Sequence, residues 1–148
     1  MDTTITEQEL AEFVRRAEEA ASAYVQGDVD RYLDLLHHAH GFTLLLFVGG
    51  PASRHEERAA ELRSWRNPFR DGEARLEHVE THAWDDTLVL VMIERQHARI
   101  GDLPDQNMSL RVTHVYRRDG SDWLLVHRHA DPLVQPMELP ELTALMRR

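Results

Sequence analysis

Apolar residues recur at helical spacing in the first part of the chain and at alternate positions in the second. Leu10, Phe13, Val14, Ala17, Ala21 and Tyr24 follow at intervals near three and four, one face of a helix. Thr6-Glu7-Gln8-Glu9 ahead of them has capping-box form, in which the Thr hydroxyl and the Glu carboxylate satisfy free backbone N–H groups. A first helix is predicted there. Gly27-Asp28 ends it and caps a second, with Val29, Tyr32, Leu33 and Leu36 on one stripe. Phe42 to Val48 is a continuous apolar run, read as a buried strand and broken by Gly49-Gly50-Pro51. Ser53-Arg54-His55-Glu56 repeats the capping pattern and opens a predicted third helix. Asn67-Pro68 closes it, because the residue before proline is pushed out of helical geometry. After Gly72 the period becomes two. Leu76 to Trp84, Thr87 to Ile100, Met108 to Arg118 and Trp123 to Asp131 read as strands, with hairpin turns at Asp85-Asp86 and Asp119-Gly120. Gly101 to Asp105 is a longer loop, and Pro136 to Arg148 holds a short terminal helix with Leu139, Leu142 and Leu145 near one side.

Helices followed by a run of hairpin strands predict an α+β domain. N-terminal helices would pack on the concave face of a curved, mainly antiparallel sheet, leaving a pocket at its open end. A single domain is expected over residues 1–148, with its core at about 6–132 and a tail at 133–148. The length, the net charge of −9 and the mean hydropathy of −0.51 fit one soluble domain. No apolar run approaches the roughly 18–20 residues of a membrane span. The first residues lack the basic and apolar regions of a secretory signal, so a cytoplasmic location is expected. The absence of cysteine excludes thiol nucleophiles, disulfides and thiolate metal sites. All 17 basic residues are arginine, which excludes a Schiff-base or P-loop lysine. The acidic balance argues against nucleic acid or an anionic membrane as partner.

Two segments carry a family resemblance. Leu110-Arg111-Val112-Thr113-His114-Val115-Tyr116-Arg117-Arg118-Asp119-Gly120 and Trp123-Leu124-Leu125-Val126-His127-Arg128-His129-Ala130-Asp131-Pro132 resemble the ending of the SnoaL-like branch of the nuclear transport factor 2-like superfamily. The same ending is similar to the association domain of calcium/calmodulin-dependent kinase II. In element order the likeness runs roughly from Leu10 to Pro132. It implies a cone-shaped α+β barrel and a homodimer paired through the outer sheet face. The family includes isomerases, cyclases, hydrolases and non-enzymes, so the fold leaves the activity open. Ketosteroid isomerases share the fold and carry a general-base carboxylate near the end of the first strand. Here Leu44 to Val48 holds none, and Tyr24 lies about one turn later than that family's helix tyrosine.

Strand parity selects the candidate site. An even hairpin loop around Asp119-Gly120 would set Arg111 opposite Ala130 and Thr113 opposite Arg128. Ser109, Arg111, Thr113, Val115, Leu124, Val126, Arg128 and Ala130 then share one face, read as pocket-facing because small residues leave room and two arginines point inward. The other face, Leu110, Val112, His114, Tyr116, Trp123, Leu125, His127 and His129, is larger and more apolar, and reads as the dimer interface. On the preceding strand Glu94 and Gln96 are placed inward.

Glu94, Arg111 and Arg128 would meet at the pocket floor, with Glu94 an orienter and a guanidinium fork left to grip an anionic or carbonyl oxygen. The alternative is that these charges only satisfy one another or lie at exposed strand ends. Thr113, Met92 and Trp65 would add ligand contacts, and Trp65 with Phe69 a mobile rim. Gln96 or His97 would help select the substrate. His40 and His97 are the candidate general bases, since imidazole titrates near neutrality. His127 and His129 have metal-ligand spacing but fall on the interface face, so no metal or other cofactor is expected. The resulting expectation is a protein that binds a small carbonyl- or carboxylate-bearing metabolite, acting as an isomerase, cyclase or hydrolase. The alternative is a non-catalytic ligand-binding or oligomerisation module.

Overall fold

The computed structural model describes residues 5–54 and 68–148. Thr6 caps α1 (Glu7–Val25): its Oγ1 accepts from the Glu9 N–H at 3.1 Å, and the Glu9 carboxylate accepts from the Thr6 N–H, completing the capping box. Phe13, Ala17, Ala20, Ala21 and Val25 are its buried stripe. Asp28 caps α2 (Val29–Leu35) by accepting from the Arg31 N–H. The strands are β1 (His38–Leu45), β2 (Ser53–Arg54), β3 (Phe69–Trp84), β4 (Thr87–Ile100), β5 (Gln106–Asn107), β6 (Leu110–Asp119) and β7 (Asp122–Pro132), and α3 (Leu139–Met146) follows.

The sheet runs β2-β1-β7-β6-β4-β3, with β5 added on β4. Every pairing is antiparallel except β1 with β7. The α+β class and the helix-covered curved sheet stand. The sheet curls without closing, leaving β2 and β3 at its ends. The larger hydrophobic cluster lies between α1, α2 and the concave face, built on Phe13, Tyr32, Leu88, Leu90, Tyr116 and Leu125, and a smaller one joins Ala21 and Val25 to Phe69, Ala74 and Ala98. No helix among the described residues is long and apolar enough to cross a membrane. None of the residues of α3 is buried.

Several boundaries differ from the expectation. The first strand starts at His38 rather than Phe42 and ends at Leu45. Ser53 and Arg54 are not a helix start: they pair with Leu44 and Thr43 as a short antiparallel strand. The remainder of the predicted third helix, with Trp65, lies outside the described residues. β3 reaches back to Phe69 through a register shift between Arg70 and Glu73, where Asp71 takes a positive φ of 56°. Such irregularities re-aim a strand. Gly72 fits there because a Cβ would stand 2.6 Å from the His97 carbonyl oxygen and 2.7 Å from that of Val25.

The most consequential difference lies in the last hairpin. Near the turn the register is the expected one, with Arg118 opposite Trp123 and Tyr116 opposite Leu125. Between Val115 and Tyr116 the register shifts, and Val115 faces His127, so Val126 is an extra residue in β7. One extra residue inverts the parity of everything beyond it.

Candidate functional site

Three strands supply the floor of a cavity under α1 and α2. On β4 the even positions Leu88, Leu90, Met92, Glu94, Gln96 and Ala98 are all buried. On β6 the buried row is Leu110, Val112, His114 and Tyr116. On β7 it is Trp123 and Leu125, and after the bulge Ala130, with Arg128 turned inward beside it. Tyr24 from α1, Tyr32 from α2, Phe42 and Leu44 from β1 and Phe69 from β3 close the walls. The space open to the centres of water-sized molecules is about 70 Å³, several times what a single water needs.

A continuous chain of polar groups crosses this apolar floor. Arg128 donates from Nη1 to Glu94 Oε2 and from Nη2 to Glu94 Oε1, both at 2.9 Å. This fork-to-fork geometry is the strong form of the ion pair. The side chains retain only 16% and 5% exposure. Arg128 Nη1 also donates to His114 Nε2 at 2.8 Å. A guanidinium can only donate, so Nε2 carries the lone pair and the ring proton sits on Nδ1. Nδ1–H then donates to the Tyr116 hydroxyl oxygen at 2.7 Å. Burial, with the neighbouring Arg128 charge, holds His114 well below its ordinary range. Burial raises Tyr116 above its own. Desolvation opposes the charge on Arg128, but Glu94 outweighs it and raises the guanidinium further. The floor therefore holds one negative and one positive charge, paired, beside a neutral imidazole and a neutral phenol.

Gln96 differs from its neighbours. Its backbone is tied, the N–H donating to Ser109 Oγ at 3.3 Å and the carbonyl accepting from the Met108 N–H at 2.8 Å. The residue is 91% buried and lines the cavity, and its side-chain amide makes no hydrogen bond to a described residue. The amide is not sealed from the cavity space, since the one fully buried side-chain N or O without a partner among the described residues is Arg118 Nε.

Over residues 15–135 the chain matches the family model described as the SnoaL-like domain. The chain belongs to this SnoaL-like family. Its fold is that of solved nuclear transport factor 2-like structures. A superfamily protein from Salmonella enterica serovar Typhimurium LT2 is 17% identical, with a TM-score of 0.69 over 88% of this chain and 92% of that one. A protein of unknown function from Pseudomonas putida KT2440 is 19% identical, with a TM-score of 0.63 over 91% and 89%. A calcium/calmodulin-dependent kinase II hub homology domain from Chlamydomonas reinhardtii is 15% identical, with a TM-score of 0.62 over 84% and 98%. No curated protein matches the chain.

Within this SnoaL-like fold the expected site residues separate. Glu94, Arg128, Gln96 and Met92 meet in the cavity. Arg111 does not: it stands on the outer face and forms an exposed fork to Asp131, Nε to Oδ1 at 2.6 Å and Nη2 to Oδ2 at 2.9 Å. Thr113 is on that same outer face, opposite His129. His97 points outward and pairs with Asp105 at 2.8 Å, and that carboxylate raises its pKa. His40 is exposed and does not line the cavity. Phe69 is a buried wall rather than a rim. Leu110, Val112, His114, Tyr116, Trp123 and Leu125 line the interior, not an interface. The outer face carries Val89, Val91, Ile93, Thr113 and Val115 instead. His127 is on the outer face too, its Nδ1 2.7 Å from Thr43 Oγ1. Among the described residues no group of three or more His, Asp or Glu could hold a metal ion.

His114, Tyr116 and His38 were not among the expected site residues. For the first two a signal existed. They share strand parity with Leu110 and Val112, and an apolar row on a sheet with one covered face marks its core. His38 lines the cavity where β1 begins four residues earlier than expected, its Nδ1 donating to the Leu36 carbonyl at 2.9 Å.

Proposed function

We propose that this SnoaL-like chain is a small-molecule-binding protein whose cavity takes a largely apolar molecule with a hydrogen-bonding end turned to the floor. The observation that carries the reading is the combination of apolar walls with the Gln96 side chain, which lines the cavity and makes no hydrogen bond to a described residue, beside the Glu94–Arg128 pair. An amide open to the cavity can take a partner from a guest, and a ligand of matching chemistry would supply both its donor and its acceptor. Binding is favoured over proton-transfer catalysis by this cluster. Both Glu94 oxygens accept from Arg128, the His114 lone pair accepts from the same guanidinium, and its N–H is given to Tyr116. The imidazole lone pair is thereby engaged, and Glu94 is held as the counter-charge of Arg128.

A ligand-observed NMR screen with charged and uncharged fragments tests this, run on wild type and Ala21→Leu. Ala21 is buried and lines the cavity, so the larger side chain fills it. Hits on wild type that weaken at least tenfold in the filled variant support the reading. An empty screen, or hits indifferent to filling, would remove it.

The second reading concerns assembly. Homodimerisation through the outer sheet face is supported by the half-exposed row of Val89, Val91, Ile93 and Val115. The similarity to structures titled kinase hub and association domains also favours it.

A further inference from the structure

We infer that the cavity is selective for an uncharged ligand, one presenting a carboxamide or an equivalent donor–acceptor edge to Gln96. The inference rests on the binding reading above and names the ligand class of that same cavity. The expectation of an anionic guest required two inward arginines. Arg111 lies outside, and the charge on Arg128 is already matched by Glu94 in a two-bond fork. A carboxylate entering beside them would bring a charge with no counter-charge, and transfer of an unpaired ion into an apolar enclosure is strongly unfavourable.

A neutral amide meets the opposite situation. The Gln96 side chain offers a carbonyl oxygen and an NH2 group on one planar edge. A facing carboxamide satisfies both at once, its NH2 donating to the Gln96 oxygen and its oxygen accepting from the Gln96 nitrogen. A carboxylate could accept from the nitrogen only, and would set its own negative oxygen against the Gln96 oxygen. Leaving a buried acceptor unpaired or opposed costs more than a hydrogen bond returns. A second station lies along the same strand. Glu94 and Gln96 are two residues apart on one face, roughly 7 Å. Of the five guanidinium hydrogens of Arg128, one on Nη2 and that on Nε lie outside the bonds to Glu94 and His114. They suit a neutral oxygen at the far end of the guest, while Met92 and Phe69 flank its apolar body.

The experiment compares a matched pair, benzamide and benzoate, by NMR titration at pH 7.5. The protein is wild type, Gln96→Leu and Glu94→Gln, each checked for folding by circular dichroism. Wild type is expected to bind benzamide at least tenfold more tightly than benzoate. Gln96→Leu should lose at least tenfold of the benzamide affinity. Glu94→Gln releases the Arg128 charge and should move the preference toward benzoate by tenfold or more. If either variant fails to fold, the wild-type ratio still decides. Equal or tighter binding of benzoate by wild type overturns the inference, as does benzamide affinity unchanged in Gln96→Leu. If neither probe binds while other fragments occupy the cavity, the ligand class is wrong and the cavity reading survives. If no fragment binds at all, the cavity reading itself fails.

Discussion

At the scale of single residues, the two arginines that strand parity placed together differ in everything that sets their energetic weight. Arg128 is buried and forked to Glu94; Arg111 is 64% exposed and forked to Asp131. Breaking a buried pair strands its partner, so Arg128→Met is expected to cost about 3–5 kcal/mol. Adding Glu94→Gln to that variant should recover part of the loss, because no lone carboxylate then remains. Arg111→Ala should cost no more than about 1 kcal/mol, the range of solvent-screened pairs. Urea denaturation of the four proteins measures all three differences. His114 gives a separate test through pH. Burial first, then the Arg128 charge, holds its native pKa well below the ordinary histidine value of about 6.5. Below that value the unfolded chain takes up a proton that the native protein refuses. The contribution is therefore whole above about pH 6.5 and shrinks as the solution is acidified toward the native pKa. His127, also lowered by desolvation, acts in the same direction. Exposed His97, raised by Asp105, acts against it. Melting temperature should fall from pH 7.5 to 5.5, and the fall should be smaller in His114→Gln. A steeper fall in the variant would contradict this account of the imidazole.

At the scale of elements, what could be read in advance was whatever depends on near neighbours in the chain. The capping box at Thr6 to Glu9, the Asp28 cap, the span Thr87 to Ile100 and the turn register at Asp119 to Asp122 are local, and they form as expected. Thr6→Ala should accordingly cost about 1 kcal/mol, measurable by thermal unfolding. That Arg111 and Arg128 lie on opposite faces depends on a non-local fact, the extra residue at Val126. Nothing in Leu124-Leu125-Val126-His127 marks a bulge, because each residue suits a regular strand. Glu94 and Gln96 line the cavity, but the unshifted pairing with β6 sets them on the face of Leu110, Val112 and His114 rather than that of Arg111 and Thr113. His97 and His40 were chosen for their chemistry, and alternation sends the first outward with the odd positions of β4. Gly72 shows the same division. Its role as a period break was visible, but the approach of the His97 and Val25 carbonyl oxygens to its missing Cβ was not. Gly72→Ala must push backbone rather than a flexible side chain, and should destabilise by about 1–3 kcal/mol. An alanine variant as stable as wild type would mean that β3 can move away from α1 and β4.

At the scale of the whole molecule, the concave face of the sheet is covered by α1 and α2, while among the described residues no helix covers the convex face. Its rows run across three strands, Val89 with Val115 and His127, and Val91 with Thr113 and His129. They are ringed by Arg95, Arg111 and Arg117, all exposed. An apolar centre with a polar rim is the anatomy of an interface, and β-branched side chains lose little rotamer freedom when one forms. The two faces share a backbone but not their side chains, so a change on one should leave the other intact. Val91→Glu sets a charge in the centre of the convex row while Leu90 and Met92 beside it still face inward. If the chain pairs through this face, sedimentation velocity should show wild type as a dimer and Val91→Glu as a monomer. Fragment binding in the cavity should persist within about threefold, since a loss below roughly 0.7 kcal/mol is what separate faces predict. A variant that remains dimeric would place the contact elsewhere, with the unburied α3 and its exposed Leu139, Leu142 and Leu145 as the next surface to alter. A variant that loses dimer and ligand together would show instead that pairing shapes the cavity from behind, through the strands that carry Glu94 and Arg128.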